Sequence, residues 1–235
     1  MFSFIGNIGN FNRFDSFLCI LFYVCSAKME LSQKDKIIEK ATKLFKSFGT
    51  QSVSMDDLCK ELVISKKTLY QEISDKKELI QEVIQSINEK HQIQFGEIFE
   101  NEKDPTKATL LMAKMFIQEM ENTSVTLIYD LRKYYPENYK TIQEFKHTFF
   151  FKKAHEIVKR GIEKGLYRKD IHTSMVTSFY LSLCDEVLGP TQIKDSEVRF
   201  KERVNQMLEY HLHAVCTEKG LRELEIYKQN KDLWL

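Results

Sequence analysis

From Ser32 to the end of the chain, apolar residues return every three or four positions, the repeat of one face of an α-helix. Ile37, Ile38, Ala41, Leu44, Phe45 and Phe48 set the pattern. Interruptions are rare. There are eight glycines and three prolines among 235 residues, where an average chain of this length carries about 28. A sandwich or barrel of many strands needs a turn every ~8–12 residues, so those classes are excluded, as are collagen-like and low-complexity chains. The pattern predicts an all-α fold, and charged residues at 29% with hydrophobic ones at 43% suit a soluble helical globule. At roughly 150 residues per domain, the length allows one or two.

The breaks that do occur fall where helices should end. Gly49 stops the first helix. Ser54-Met-Asp-Asp57 reads as a Ser-x-x-Asp start for a short second helix, with Leu58, Cys59 and Leu62 inward. Ser65 opens a third helix, and Asp75-Lys-Lys-Glu78 opens a fourth that runs to about Glu100. Asp104-Pro105 marks the next start, with Pro at the first helical position. Further helices are expected to about Asn122, over Thr123–Tyr135, from Pro136 to about Lys164, over Ile171–Leu188 and Ser196–Thr217, and in a short tail bearing Leu221, Leu224 and Tyr227. No internal repeat and no strand is expected.

Residues 1–28 differ in kind: rich in Phe, Asn and Gly, and poor in charge. The run Phe17–Cys25 is apolar throughout but shorter than the ~20 residues a membrane-spanning helix needs. Arg13 is offset by Asp15, so the flank is a weak signal-peptide start. The expectation is that Met29 is the natural start and 1–28 an upstream extension outside the native fold. A membrane anchor or signal, and an ordered helix packed on the body, are the alternatives. Five scattered cysteines without a C-x-x-C pair fit free thiols in a reducing, cytoplasmic compartment and argue against zinc.

Residues 37–80 carry the most information. A helix is followed by two short helices with a tight connection. Leu58, Leu62, Ile64, Leu69 and Ile73 can lock the pair at a steep angle, the helix-turn-helix arrangement whose second member enters a DNA major groove. That second helix offers Lys66 and Lys67 near its start. Thr68 and Gln71 can hydrogen-bond base edges, Gln suiting adenine and Lys guanine. Tyr70 can donate to a phosphate. Lys76 lies in the first turn of the next helix, where free N–H groups favour an anion, and the helix start at Ser54 offers a second such seat. Net charge is only +1, so any nucleic-acid contact must be local.

The runs Ile38–Phe45, Phe48-Gly49, Val53–Leu58 and Ile64–Tyr70, with Lys76 and Glu78-Leu79, resemble the DNA-binding domain of the tetracycline-repressor (TetR) family of transcriptional regulators. The resemblance covers about 50 residues. Two departures stand out: the turn position usually held by Gly is Val63, and Glu72 replaces the first of an aromatic pair, leaving an acid near the phosphates. The resemblance implies a DNA-binding domain over 29–80, with Ser54, Ser65, Lys66, Lys67, Thr68, Tyr70, Gln71 and Lys76 toward a double-stranded operator. It also implies a helical effector-binding and dimerisation domain over 81–235.

Within that second domain the small-residue ridge Ser174, Ser178 and Ser182, with the stripe Val204, Met207, Leu208, His211 and Val215, would make a four-helix homodimer interface. Large soft side chains fill the middle of the chain. Met112, Phe116, Tyr129, Phe145, Phe149 and Tyr180 are the candidate lining for a small, apolar effector, with His147 a polar handle; the bland alternative is plain core packing. No enzyme motif is present: no G-x-S-x-G, P-loop, G-x-G-x-x-G or H-E-x-x-H. His211 and His213 point apart on a helix, and His147 and His155 are two turns apart. No catalytic residue, metal or cofactor is expected. The sequence thus points to a homodimeric, ligand-responsive repressor on a pseudo-palindromic operator. A helical small-molecule-binding protein with weakened or lost DNA binding is the alternative that Glu72 suggests; a membrane-tethered helical protein is the one that residues 17–25 suggest.

Overall fold

A computed structural model of the chain describes residues 31–188, 199–230 and 233–234. The expectations for residues 1–28, for the Gly189-Pro190 stop and for a helix start at Ser196 lie outside these. The described residues form an all-α fold: α1 (Gln33–Phe48), α2 (Met55–Leu62), α3 (Lys66–Glu72), α4 (Lys76–Asn101), α5 (Pro105–Glu121), α6 (Val125–Tyr134), α7 (Pro136–Phe145), α8 (Phe151–Glu163), α9 (Thr173–Leu188), α10 (Phe200–Val215) and α11 (Glu218–Gln229). The β-pairing among them is an isolated bridge between Tyr167 and Cys216.

The helix starts are where side chains can satisfy free N–H groups. Ser32 caps α1 in a reciprocal box with Asp35, Ser54 does the same for α2 with Asp57, and Asp104 accepts from Lys107 N at 2.8 Å ahead of Pro105. The helix expected from Pro136 to about Lys164 has a defect the sequence does not announce. Lys146–Phe150 is a π-helical turn joining α7 to α8. One extra residue per turn there rotates the two halves relative to each other.

Two cores organise the helices. The first holds α1 to the start of α4: Ile37, Leu58, Leu69, Ile73, Leu79 and Ile80 are nearly fully buried, each contributing roughly 1.5–3 kcal/mol by leaving water. Leu127 and Leu131 of α6 are buried in it too, and Tyr135, Tyr139 and Ile142 pack on it. The second core lies among α5, α8, α9, α10 and α11, around Leu110, Leu166, Tyr167, Val204, Leu208, Leu212 and Leu224. The expected division at residue 80 therefore falls inside α4, and the first core borrows α6 and α7 from beyond it.

Candidate nucleic-acid interface

Helices α2 and α3 meet through Leu58, Cys59 and Leu69, all buried, while Ile64 of the turn packs behind them. The turn is tight because α2 ends in a Schellman motif: Ile64 N donates to Cys59 O at 3.0 Å and Val63 N to Lys60 O at 3.2 Å. Val63 sits at the left-handed position of that motif, φ 54° and ψ 45°. Glycine is the usual occupant, and a β-branched residue there is strained. The departure noticed in the sequence is thus a real backbone cost.

With Leu69 and Ile73 turned inward, α3 presents Lys66, Lys67, Tyr70 and Gln71 to solvent. These four expected contacts share one open surface. They are not equivalent. Lys66 is held by Asp56 at 2.7 Å, whose hydrogen bond and charge raise the pKa of its ammonium. Lys67 has no ion-pair partner among the described residues. Thr68 is half-buried and its hydroxyl lies 2.8 Å from that of Ser65, which caps α3 by accepting from Thr68 N at 3.0 Å. Ser65 and Thr68 are spent first on helix capping. Glu72 is exposed on the same short helix.

The two expected phosphate seats are already acidic. Ser54 Oγ donates to the Asp57 carboxylate at 2.6 Å and accepts from Asp57 N at 3.1 Å, and these bonds hold the Asp57 pKa below its usual value. At α4, Asp75 Oδ1 accepts from Glu78 N at 2.8 Å. Lys76, in the first turn of α4, is half-buried; burial pulls its pKa down, while the carboxylates of Asp130 and Asp57 oppose this. Residues 37–83 hold eight lysines and eight acids, so the segment has no net basic field of its own.

Sequence reasoning missed what stands behind these helices. Helix α6 lies against the α1–α2 turn. Ser124 N donates to Lys46 O at 2.6 Å, and the buried Asp130 accepts from Gln51 N at 2.9 Å and from the Thr50 hydroxyl at 3.4 Å. A Cβ on Gly49 would lie 2.7 Å from Asp130 Oδ2 and 3.0 Å from Thr126 Oγ1. Gly49, φ 78°, is needed as much for this close approach as for ending α1.

In the C-terminal body the candidate residues separate. A small cavity of about 20 Å³ is walled by Met112, Ile157, Val158, Tyr167, Tyr180 and His211, among others. Met112 and Tyr180 of the expected lining reach it. Phe145 and Phe149 stack together beside Phe150 and Phe95, Phe116 packs near Phe200, and Tyr129 is exposed with its hydroxyl accepting from Lys133. His147 is exposed. The cavity wall has no charged side chain. His211 is 8% exposed, and burial alone lowers its pKa to about 4; its ring lies 4.6 Å from that of Tyr180.

The expected interface stripe lies on the inward face of α10. Val204, Met207, Leu208 and His211, like Val215, are buried within the chain itself, because α10 turns that face to α5 and α9. Ser174 is half-buried, while Ser178 and Ser182 are exposed next to Met175 and Phe179. Among the described residues no group of three or more His, Cys, Asp or Glu could hold a metal ion, and no helix is long and apolar enough to cross a membrane.

Residues 37–83 match the model of the family described as "Bacterial regulatory proteins, tetR family". No curated protein matches the chain. Solved structures share the fold well beyond the matched segment. The TetR family regulator PfmR from Thermus thermophilus is 24% identical, covering 76% of this chain and 98% of its own, with a TM-score of 0.55. A TetR family regulator from Cytophaga hutchinsonii is 15% identical, covering 80% and 99%, with a TM-score of 0.64. A protein from Saccharomonospora viridis in complex with choline is 12% identical, covering 79% and 98%, with a TM-score of 0.67. Residues 37–83 are thus a helix-turn-helix segment that matches the tetR family of bacterial regulatory proteins, carried on an all-α fold that solved TetR family regulators share.

Proposed function

We propose that the chain is a ligand-responsive, homodimeric regulator that binds a pseudo-palindromic operator, each protomer laying residues 65–71 in a major groove. The observation that carries this is the two-sidedness of α3. Leu69 and Ile73 anchor it in the first core while Lys67 and Gln71 stand exposed, as a helix that reads base edges requires. Two-fold symmetry then asks for half-sites about 34–36 Å apart or a multiple of it.

For the dimer, the outward face of α9 is the supporting feature. Ser178 and Ser182 let a second helix approach closely, and Met175 and Phe179 beside them are more than half exposed; burying them against a second copy would gain apolar contact. For the effector, the uncharged wall and neutral His211 favour a small molecule without charge. The cavity is too small to hold more than water, so binding must widen it. The rod α7–π turn–α8 gives that widening a route. Its first half packs on the first core through Tyr139 and Ile142, and its second half walls the cavity with Ile157 and Val158. Ligand would act by favouring one arrangement of the rod over another. Relief of repression is the sign we assign, and the cytoplasm the place.

The test is an electrophoretic shift with the chain's own upstream DNA. Wild type should retard it, and Lys76→Ala should weaken binding to every sequence and reduce the salt slope by about 1. Absence of any shift would instead favour a helical small-molecule-binding protein that has lost its DNA. The balance of eight lysines against eight acids in 37–83, with Glu72 exposed on α3, is what motivates that second reading.

A further inference from the structure

Asp130 is a buried carboxylate on a helix outside the DNA-binding segment, yet its hydrogen bonds reach Thr50 and Gln51 within that segment. Its Oδ2 accepts from Gln51 N at 2.9 Å and from the fully buried Thr50 hydroxyl at 3.4 Å. The same oxygen occupies the space where a Cβ on Gly49 would lie. Val53, two residues beyond Gln51, is buried, and Ser54 then caps α2. The turn that Asp130 holds therefore fixes the start of α2. Because α2 is locked to α3 through Leu58, Cys59 and Leu69, it also fixes the reading helix. The charge of Asp130 also favours that of the half-buried Lys76.

Helix α6 is itself well anchored. Ser124 N holds Lys46 O at the end of α1, Leu127 and Leu131 fill the first core, and just beyond its end Asn138 donates to Lys77 O at 3.2 Å and to Gln81 Oε1 at 3.1 Å. A carboxylate delivered by so fixed a helix onto three successive residues of a turn imposes a position rather than merely occupying space. Burying it without those donors would be costly.

We propose that Asp130 is the positioning residue through which the helical body sets the reading head: its carboxylate clamps residues 49–51 and so fixes the angle at which α2 and α3 meet DNA. This rests on the DNA-binding reading. The clamp bypasses α4, the backbone connection between the two cores. A displacement of α6 reaches α2 through hydrogen bonds even where α4 stays in place.

The test uses Asp130→Asn, close in shape but without the charge, and Asp130→Ala, on the full chain. The probes are a duplex selected by wild type from a random library and an unselected duplex of equal length. Specific binding needs the angle of α3, whereas unselected binding needs mainly charge. Both variants should lose affinity for the selected duplex, Asp130→Ala by about tenfold, while affinity for the unselected duplex stays within about twofold or rises. Hydrogen exchange should quicken at residues 50–58 and leave α8 to α11 unchanged. If Asp130→Ala keeps its selected-duplex affinity, or if both duplexes weaken alike, the positioning role is wrong. Unaltered exchange at 50–58 would overturn it as well. Should wild type select no duplex at all, it is the DNA-binding reading that fails, and the exchange pattern still decides whether the clamp exists.

Discussion

Replacing Val63 by Gly should stabilise the protein. Val63 has φ 54° and ψ 45° and is 91% exposed. A β-branched side chain in the left-handed region costs roughly 1–2 kcal/mol. Almost no burial is lost on removing this one, because the side chain touches little besides water. Glycine widens the unfolded ensemble, which offsets about 0.4–1 kcal/mol of the gain. The net is a stabilisation of roughly 0.5–1 kcal/mol, and in a chain of this size that raises Tm by about 1–4 °C. Thermal unfolding followed by circular dichroism measures it, and exchange of the Val63 and Ile64 amides, which close the Schellman bonds, should slow in parallel. An unchanged or lowered Tm would show that the turn is not strained, and the argument from its backbone would fail. The selected sequence should also stay the same, since the geometry of α3 is kept.

Gly161→Ala should be costly: the new Cβ would lie 2.2 Å from the ring of Tyr167, which is fully buried and cannot swing away. We expect a loss of roughly 1–3 kcal/mol by chemical denaturation, and Gly161→Ala as stable as wild type would mean that the ring is free to move. His211 should make the body acid-sensitive. Its folded pKa of about 4 lies below the ~6.5 of an unfolded histidine. The unfolded state therefore takes up the proton first, and stability falls as pH drops from about 6.5 to 4, by up to ~3 kcal/mol. Denaturant titrations across that window should show His211→Leu free of this part of the slope; identical slopes would mean that His211 is not buried neutral. Met112→Ala, which empties the cavity wall, should leave DNA binding without effector intact and alter only the response to an uncharged effector, read by fluorescence anisotropy.

The sequence shows some of this arrangement and hides the rest, for physical reasons. Period-3.6 patterning marks which face of a helix is buried, and it places α1, α2, α3 and their caps correctly. It does not say what covers a buried face. Val204, Met207, Leu208 and His211 are as apolar and regular as an interface stripe, yet they face the chain's own second core. Soft aromatic side chains are equally ambiguous. Phe145 and Phe149 stack with each other, Tyr129 lies in solvent, and the cavity is walled instead by residues such as Ile157 and Val158 that carry no distinctive signal. The π turn at Lys146–Phe150 leaves no mark, since its residues would suit an ordinary helix. Asp130 is 80 residues from Thr50; one signal hints at it, an Asp among the apolar positions of an amphipathic helix. Val63 is the reverse case, an odd residue whose consequence could be read from its place in the turn.

The central claim is that α3 reads base edges. Binding-site selection from a random duplex library, run side by side with wild type and Gln71→Ala, tests it most directly. Wild type should enrich an inverted repeat, and Gln71→Ala should lose preference at a single position in each half while keeping the rest of the repeat. Identical sequences from the two proteins, or no enrichment with either, would contradict it.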